Sequence, residues 1–451
     1  MQSPFSAAIA DKPLRPFQWL VIAFGLLLLV IDGIDLQSLP LVVPDILAEW
    51  GTGRESFGKA LSASLFGMAF GSVFGGMLGD RIGRLKTLFI ACMIFGTATI
   101  GAGYTNTVWE ITAVRALGGL GFGAAYPNGL ALVSDWVSDR VRPHAVSFLS
   151  VGIPVGISVS AFVMPYLLPE YGWRGTFVIF GSASLALGFL AILLLREPPP
   201  FLLARGRTEA AQRNAAKVIG PGIELIPEPD SAAEAATGDR VGIFHRRNRM
   251  LNIGMVVSFS ATTALVYGLL NWTTELLTSA GFTPDQARQA GVWQGALSVV
   301  GGLSAGVTTR WFGSRAVTIV GAALILAAIV ALGIMVEGLG GTPTADERAI
   351  IILLESLAVG LVSMMITVFY VVMAHGYPAS CRAGGIGFII TSGRVLSIAM
   401  VWYGGVLIGL AGNGSFVWYF AALSAISLMV FAAAFLVDCH IEPRSRARVP
   451  A

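Results

Sequence analysis

Phe17 to Leu39 is a nearly unbroken apolar run, and close to its far end it carries Asp32-Gly33-Ile34-Asp35-Leu36-Gln37. At 1.5 Å per residue the run is long enough, as a helix, to cross a hydrocarbon core about 30 Å thick. A single Asp at the centre of such a helix costs roughly 2.5–3.5 kcal/mol on insertion scales, and such residues face a bundle interior or a watery cavity. Two carboxylates there predict a membrane helix whose polar side handles protons or ions.

The rest of the chain fits this beginning. Of 451 residues, 55% are hydrophobic and only 12% charged, with a mean hydropathy of +0.75, which is far from soluble-domain composition. Apolar runs of membrane length recur at 17–39, 57–79, 87–104, 108–133, 144–168, 173–195, 249–272, 286–309, 316–336, 349–375, 383–410 and 415–437. Twelve transmembrane helices are expected. The first has no small-residue cleavage site and carries the two aspartates, so it is expected to stay as a helix rather than to be removed as a signal peptide. Cys92, Cys381 and Cys439 stand singly and form no disulfide or metal pattern. Trp19, Trp109, Trp173 and Trp418 near helix ends read as interface anchors.

With both termini on the cytoplasmic side, the inner segments hold 22 of the 29 Lys and Arg. The outer loops keep only Arg54, Lys59, Arg174, Arg288 and Arg348, an asymmetry that orients the chain by the positive-inside rule and explains the net charge of +3 without any nucleic acid. Arg115 and Arg394 remain inside helices 4 and 11.

The longest polar stretch, about Arg196 to Arg249, starts with Glu197-Pro198-Pro199-Pro200 and is expected to be helical around Thr208–Ile219. It divides the helices six and six. The expected organisation is a cytoplasmic N-terminal segment (1–16), an N-terminal six-helix bundle (17–195), a cytoplasmic linker (196–248), a C-terminal six-helix bundle (249–437) and a cytoplasmic tail (438–451). An offset near 240 relates the halves. Arg142 and Phe148 return as Arg382 and Phe388, and Gly175-Thr176-Phe177-Val178 as Gly414-Ser415-Phe416-Val417. The same offset carries Arg115 to Glu355 and Pro154 to Arg394, so the midplane arginine belongs to one half only.

Helix 2 has Gly67, Gly71, Gly75 and Gly79 on one face, and helix 4 has Gly119 and Gly123, a pattern that lets membrane helices approach closely. Between helices 2 and 3 lies Gly79-Asp80-Arg81-Ile82-Gly83-Arg84-Leu85-Lys86. Read from Gly76, this loop is similar to the cytoplasmic signature of the major facilitator superfamily. The resemblance implies an all-α fold of two pseudo-symmetric six-helix halves, with Gly79, Asp80, Arg81, Gly83 and Arg84 as a cytoplasmic gate. The second copy, Thr309-Arg310-Trp311-Phe312-Gly313-Ser314-Arg315, keeps the glycine and lacks the aspartate, which predicts a weaker latch.

Four stretches further resemble the aromatic acid:proton symporter family. They are Asp32-Gly33-Ile34-Asp35; Arg115-Ala116-Leu117-Gly118-Gly119-Leu120-Gly121 with Ala125-Tyr126-Pro127-Asn128; Tyr377-Pro378 with Arg382; and Gly393-Arg394. The family's Glu and Pro after the helix 4 motif are replaced here by Ser134-Asp135-Trp136-Val137-Ser138-Asp139. Gly152-Ile153-Pro154-Val155-Gly156 resembles a signature of proton-drug antiporters, which keeps export as an alternative.

From the residues alone, Asp32 lies about 22 Å along helix 1 and Arg115 about 10 Å below the outer face, at nearly the same depth. Arg115 is expected to pair with one aspartate and hold it ionised, while burial favours the neutral acid of the other and so poises it for proton exchange. Glu355 is a second proton candidate, with a water-facing position as the alternative. Arg394, about 16 Å into helix 11, is suited to bidentate capture of a carboxylate. The arginine alone says only that an anion is bound; the family resemblance implies an aromatic acid, with Gln37, Tyr126, Asn128, Tyr267 and Trp272 as candidates to stack on its ring or read its hydroxyls. His144 and His375 at inner helix ends are expected to be solvated or capping.

No phosphate loop, metal cluster or catalytic triad is legible, so neither an enzyme nor a pump driven by nucleotide is expected, and no cofactor. The expectation is a monomeric secondary transporter of the bacterial-type inner membrane, taking up a small aromatic carboxylate with protons. A proton-driven exporter and a membrane sensor that binds without moving its ligand are the alternatives.

Overall fold

The computed structural model describes residues 2–10, 12–138, 140–142, 145, 148–149, 151–219, 224–226, 243–339, 341–377, 382–410, 415–437 and 440–443. His144, Cys381, Cys439, Gly414, most of segment 221–236 and most of the tail lie outside this set, as do the side chains of Asp80 and Arg382. The helices are α1 Phe5–Ile9, α2 Pro16–Trp50, α3 Arg54–Ile82, α4 Arg84–Ala102, α5 Val108–Trp136, α6 Gly152–Leu194, α7 Pro199–Ala204 and α8 Thr208–Ile219, then α9 Arg249–Ser279, α10 Pro284–Phe312, α11 Ser314–Glu337, α12 Ala345–Gly376, α13 Arg382–Gly409 and α14 Val417–Ala433. Two three-residue strands, β1 Gln2–Pro4 and β2 Glu224–Ile226, pair in parallel.

Nine of the described helices are long and apolar enough to cross a membrane. One of them, α6, breaks at Gly172, whose φ of 62° and ψ of 177° no helix contains, and so makes two crossings. With α5 and the 17-residue α14 this gives twelve, in two halves of six. The halves repeat one packing scheme. In each, the second crossing packs on the fourth (α3 on α5; α10 on α12) and the first on the fifth (α2 on α6; α9 on α13). Across the halves, α3 meets α13, α6 meets α10 and α2 meets α9.

Local chemistry sets the ends. Thr107 caps α5 by accepting the Glu110 amide, and Thr283/Gln286 and Thr344/Glu347 form capping boxes that start α10 and α12. The first helix is longer than expected, running on from Leu39 to Trp50 through Pro40 and Pro44. Proline is tolerated in membrane helices because neighbouring elements satisfy the freed backbone groups, so Pro40 is not the stop that it would be in a soluble chain. Gly51, at φ 61°, ends it.

The glycine faces of α3 and α5 interlock. A Cβ on Gly67 or Gly71 would lie 2.1 Å from the Ala116 or Leu120 carbonyl oxygen, and one on Gly119 or Gly123 2.2 or 2.3 Å from the Ser64 or Met68 oxygen. Such backbone contact is what dispersion between membrane helices requires. The linker also packs: α8 lies on α1 and α2, Lys12 donates to the Ile219 carbonyl, and Phe5 and Phe17 meet Trp136 edge-on. Of the tryptophans expected as interface anchors, Trp19, Trp109 and Trp418 are exposed, but Trp173 is buried and donates to Glu49 at 2.6 Å. The reason is Arg174, which stacks on the Trp173 ring and also bonds Glu49, tying α6 to the end of α2.

Candidate functional site

Where the halves meet, a cavity of about 170 Å³ is lined by Leu36 of α2 and by Ile153, Pro154 and Ile157 of α6 on one side. The facing wall comes from α9, α10, α12 and α13. It is apolar at Phe259, Val266, Leu270 and Ile366, and polar at Thr263, Ser298, Ser363, Tyr267, Tyr370 and Arg394. Pockets for drug-sized ligands run to roughly 300–1,000 Å³, so this one suits a single-ring compound.

One charge dominates the wall. Arg394 donates from Nη1 to the Tyr267 hydroxyl at 2.9 Å, with its guanidinium 5.6 Å from the Tyr267 ring centroid. Tyr126, Tyr267 and Tyr370 surround it closely enough to act on one another electrostatically. No carboxylate closes a salt bridge on Arg394 among the described residues, so its donors face the cavity.

The two aspartates of α2 have different partners. Asp35 accepts from Arg115 Nη1 at 2.9 Å and from Thr99 Oγ1 at 2.6 Å, and its backbone carbonyl accepts from Arg115 Nη2 at 3.3 Å. All three residues are buried, a dry ion pair with its hydrogen bonds largely satisfied. Asp32, one turn earlier and also buried, makes no hydrogen bond or ion pair among the described residues and lies within the fields of Asp35 and Arg394. The geometry thus divides the pair into a fixed carboxylate and one that makes no hydrogen bond or ion pair among the described residues.

A family model described as Major Facilitator Superfamily matches residues 25–398. The chain belongs to the major facilitator superfamily. It is 30% identical over 441 residues to the 4-hydroxybenzoate transporter PcaK of Acinetobacter baylyi, covering 94% of this chain and 93% of that one. It is 26% identical to a gallate transporter of Pseudomonas putida, over 97% and 95% of the two chains. Among solved structures it is similar to the inward-open xylose transporter XylE of E. coli, with a TM-score of 0.72 at 18% identity over 94% of this chain and 96% of that one. Proteins of this superfamily are transporters, and the chain is not an enzyme.

Within this superfamily member, two residues expected at the substrate sit elsewhere. Asn128 is fully buried and donates to the Gly75 and Ala124 carbonyls, so it pins α5 to the glycine face of α3 instead of reaching the cavity. Trp272 is also fully buried, donating to the Val401 carbonyl at 2.9 Å with its ring against Gly404, and offers no face to a ligand. Gln37 is buried and does not itself line the cavity: its Nε2 reaches the carbonyl of Leu270, a lining residue of the other half, at 3.4 Å. Glu355 is buried, not water-facing, and bonds Thr273 and Gln294 inside the C-terminal half.

Other site residues are absent from the sequence expectations. Thr99 and Tyr370 carried no signal, since a lone Thr or an aromatic at a helix end is common core material. The link between Asp45 and Arg288 crosses the halves: Arg288 also donates to the Leu41 carbonyl at 3.2 Å and to Asp285 at 2.8 Å. Ser158 donates to the Val292 carbonyl at 2.9 Å, and Gly58 packs on the Trp402 carbonyl. All of these lie on the Trp50 side of the cavity, where Gln37, Leu41 and Leu270 are buried. Toward the linker side, Tyr370 is 37% exposed. The polar contacts that cross the halves thus gather at the Trp50 end of the cavity.

On the linker side, Gly83 takes φ 116°, and the Leu85 and Lys86 amides at the start of α4 donate to the Glu197 carboxylate at 3.3 and 3.2 Å. A Cβ at Gly83 would strike Glu197 Oε1. Burial pushes the Glu197 carboxyl up, and the backbone amides of residues 84–86 oppose this. In the second half, Gly313 at φ 79° occupies the same place, but here the partner is main chain: Ser314 and Ile441 exchange hydrogen bonds. Of the gate residues, Gly79 packs against Asn128 and Arg84, Arg81 is exposed, and the Asp80 side chain lies outside the described set.

Proposed function

We propose that the chain is a proton-coupled importer of an aromatic carboxylate, working by alternating access between the bundles 17–195 and 249–437. The observation that carries this reading is Asp32, buried without a hydrogen bond or ion pair among the described residues and within the field of Arg394, which lines a ring-sized cavity. While Asp32 is ionised it competes with an incoming anion for the arginine's charge. Protonation of Asp32 removes that competition, so substrate carboxylate and proton bind together and leave together. A guanidinium presents two parallel donors to a carboxylate, which fixes the anion's direction. Tyr267 and Tyr370, which line the cavity, would contact the ring and its substituents.

Two relatives named as transporters of hydroxylated benzoates support the substrate class. A proton carried with a monoanionic carboxylate moves no net charge, so a single coupled proton draws on the pH gradient alone, about 1.4 kcal/mol per unit; a second proton would add about 2.3 kcal/mol per 100 mV. The excess of Lys and Arg on the linker side supports cytoplasmic termini in a bacterial inner membrane. In that orientation, an opening at the linker end would make this an inward-facing conformation. The acting unit is taken to be a monomer in lipid.

The test is binding of benzoate and 4-hydroxybenzoate to purified protein at several pH values. Wild type should bind more weakly as pH rises, whereas Asp32→Asn should bind without that pH dependence. Equal pH dependence in both would remove Asp32 from the mechanism.

A further inference from the structure

Glu355 of α12 lies at a polar junction apart from the cavity, between Thr273 of α9 and Gln294 of α10. The hydrogen atoms at this junction can be counted. The Thr273 hydroxyl has one proton, yet Oγ1 lies 2.6 Å from the Leu269 carbonyl and 2.5 Å from Glu355 Oε1, both at hydrogen-bonding distance. The Gln294 amide nitrogen donates toward the same two oxygens, Thr273 Oγ1 at 3.1 Å and Glu355 Oε1, and so puts no hydrogen between them. With Glu355 ionised, the cluster is one proton short, and two oxygens meet with nothing between them.

Burial adds a second constraint. Glu355 is 1% exposed, and its Oε2 has no hydrogen-bond partner, nor does Gln294 Oε1. An unpaired oxygen of a buried carboxylate is far costlier than the carbonyl oxygen of a neutral acid. Among the described residues, no cation offsets the charge. Arg394 on α13 is held at Tyr267, Arg288 on α10 is held by Asp45 and Asp285, and Glu275 on α9 is itself acidic. Glu337 at the end of α11 bonds Ser415 and the Phe416 amide, and Tyr419 of α14 donates to the Gly268 carbonyl.

We propose that Glu355 is the neutral acid in this conformation, its Oε1–H donating to Thr273 Oγ1, and that it forms a second proton-holding site in the C-terminal half. The Thr273 hydroxyl then donates its hydrogen bond to the Leu269 carbonyl, and every close contact in the cluster has a hydrogen. The helices involved are the ones that close the Trp50 end: α10 carries Arg288 and the Val292 carbonyl, and α9 carries the Leu270 carbonyl that Gln37 reaches. The site depends on neither Asp32 nor the identity of the substrate.

Infrared spectroscopy of full-length protein in lipid vesicles at neutral pH tests this, in the Asp32→Asn background so that the other candidate acid is silent. A carbonyl band of a protonated carboxyl should be present, be lost in Glu355→Gln, and shift to higher frequency in Thr273→Val, where the acid loses its acceptor. Superimposable spectra with and without Glu355→Gln would overturn the proposal. If Glu355→Gln fails to fold, the Thr273→Val comparison decides: an unshifted band, or none, is equally contrary.

Discussion

Asp32 and Asp35 are three residues apart on one helix face, and their neighbours give them different work. Asp35→Asn strips Arg115 of its counter-charge inside the bundle, and breaking a buried pair in this way costs about 3–5 kcal/mol. Its folded yield and melting temperature should therefore fall, whereas Asp32→Asn, which leaves no partner behind, should melt like wild type. Thermal denaturation of the two purified variants in detergent makes the comparison. Arg394→Lys keeps the charge but gives up the fork, and a loss of about 1.4 kcal/mol corresponds to tenfold weaker carboxylate binding. Equilibrium titration with benzoate reads this directly. That an arginine meets one of the aspartates is legible from the equal depths of Arg115 and Asp32 along antiparallel helices. Which aspartate it meets is not, because a difference of one turn is finer than any helix boundary drawn from sequence. Asn128 and Trp272 misled for a related reason: polar and aromatic residues near a site look alike in sequence whether they face a ligand or a neighbouring backbone.

The α3–α5 pair shows how far an element can be read from spacing. Glycines four apart predict a close helix contact, and Gly67, Gly71, Gly119 and Gly123 make it, whereas Gly76 faces open space. Gly71→Val should thus destabilise by at least the 1–3 kcal/mol typical of overpacking, while Gly76→Ala should be neutral to folding; size-exclusion profiles after mild heating separate them. The twelve crossings and the α8 span are legible because hydropathy and helical signals run long. The overshoot of α2 is not, since Pro40 punctuates in water and not in a packed membrane bundle. Glu197 read only as the start of a linker, because its partners, the free amides of α4, lie more than a hundred residues earlier. Glu197→Gln weakens that cap, with an expected cost of about 1 kcal/mol and a lower melting temperature.

For the whole molecule, duplication explains both the symmetry and its breaches. The two halves repeat their internal packing, yet only one carries the Asp35–Arg115 pair and only the other carries Arg394, so in the proposed mechanism Asp32 and Arg394 would act across the seam. Closure of the Trp50 end rests on few polar links, with Arg288 bonding Asp45 and the Leu41 carbonyl across the halves. Arg288→Ala should shift the population toward opening at that end, so that a cysteine introduced at Leu41 reacts faster with an impermeant thiol reagent; an unchanged rate would mean the apolar seam alone holds it shut. The function stands or falls on transport itself. Uptake of labelled benzoate and 4-hydroxybenzoate into cells expressing this chain, with and without a protonophore, should be strong, protonophore-sensitive, and lost in Asp32→Asn and Arg394→Lys. Uptake that ignores the protonophore and both substitutions, or no uptake of either acid by well-expressed protein, would contradict proton-coupled import through this cavity.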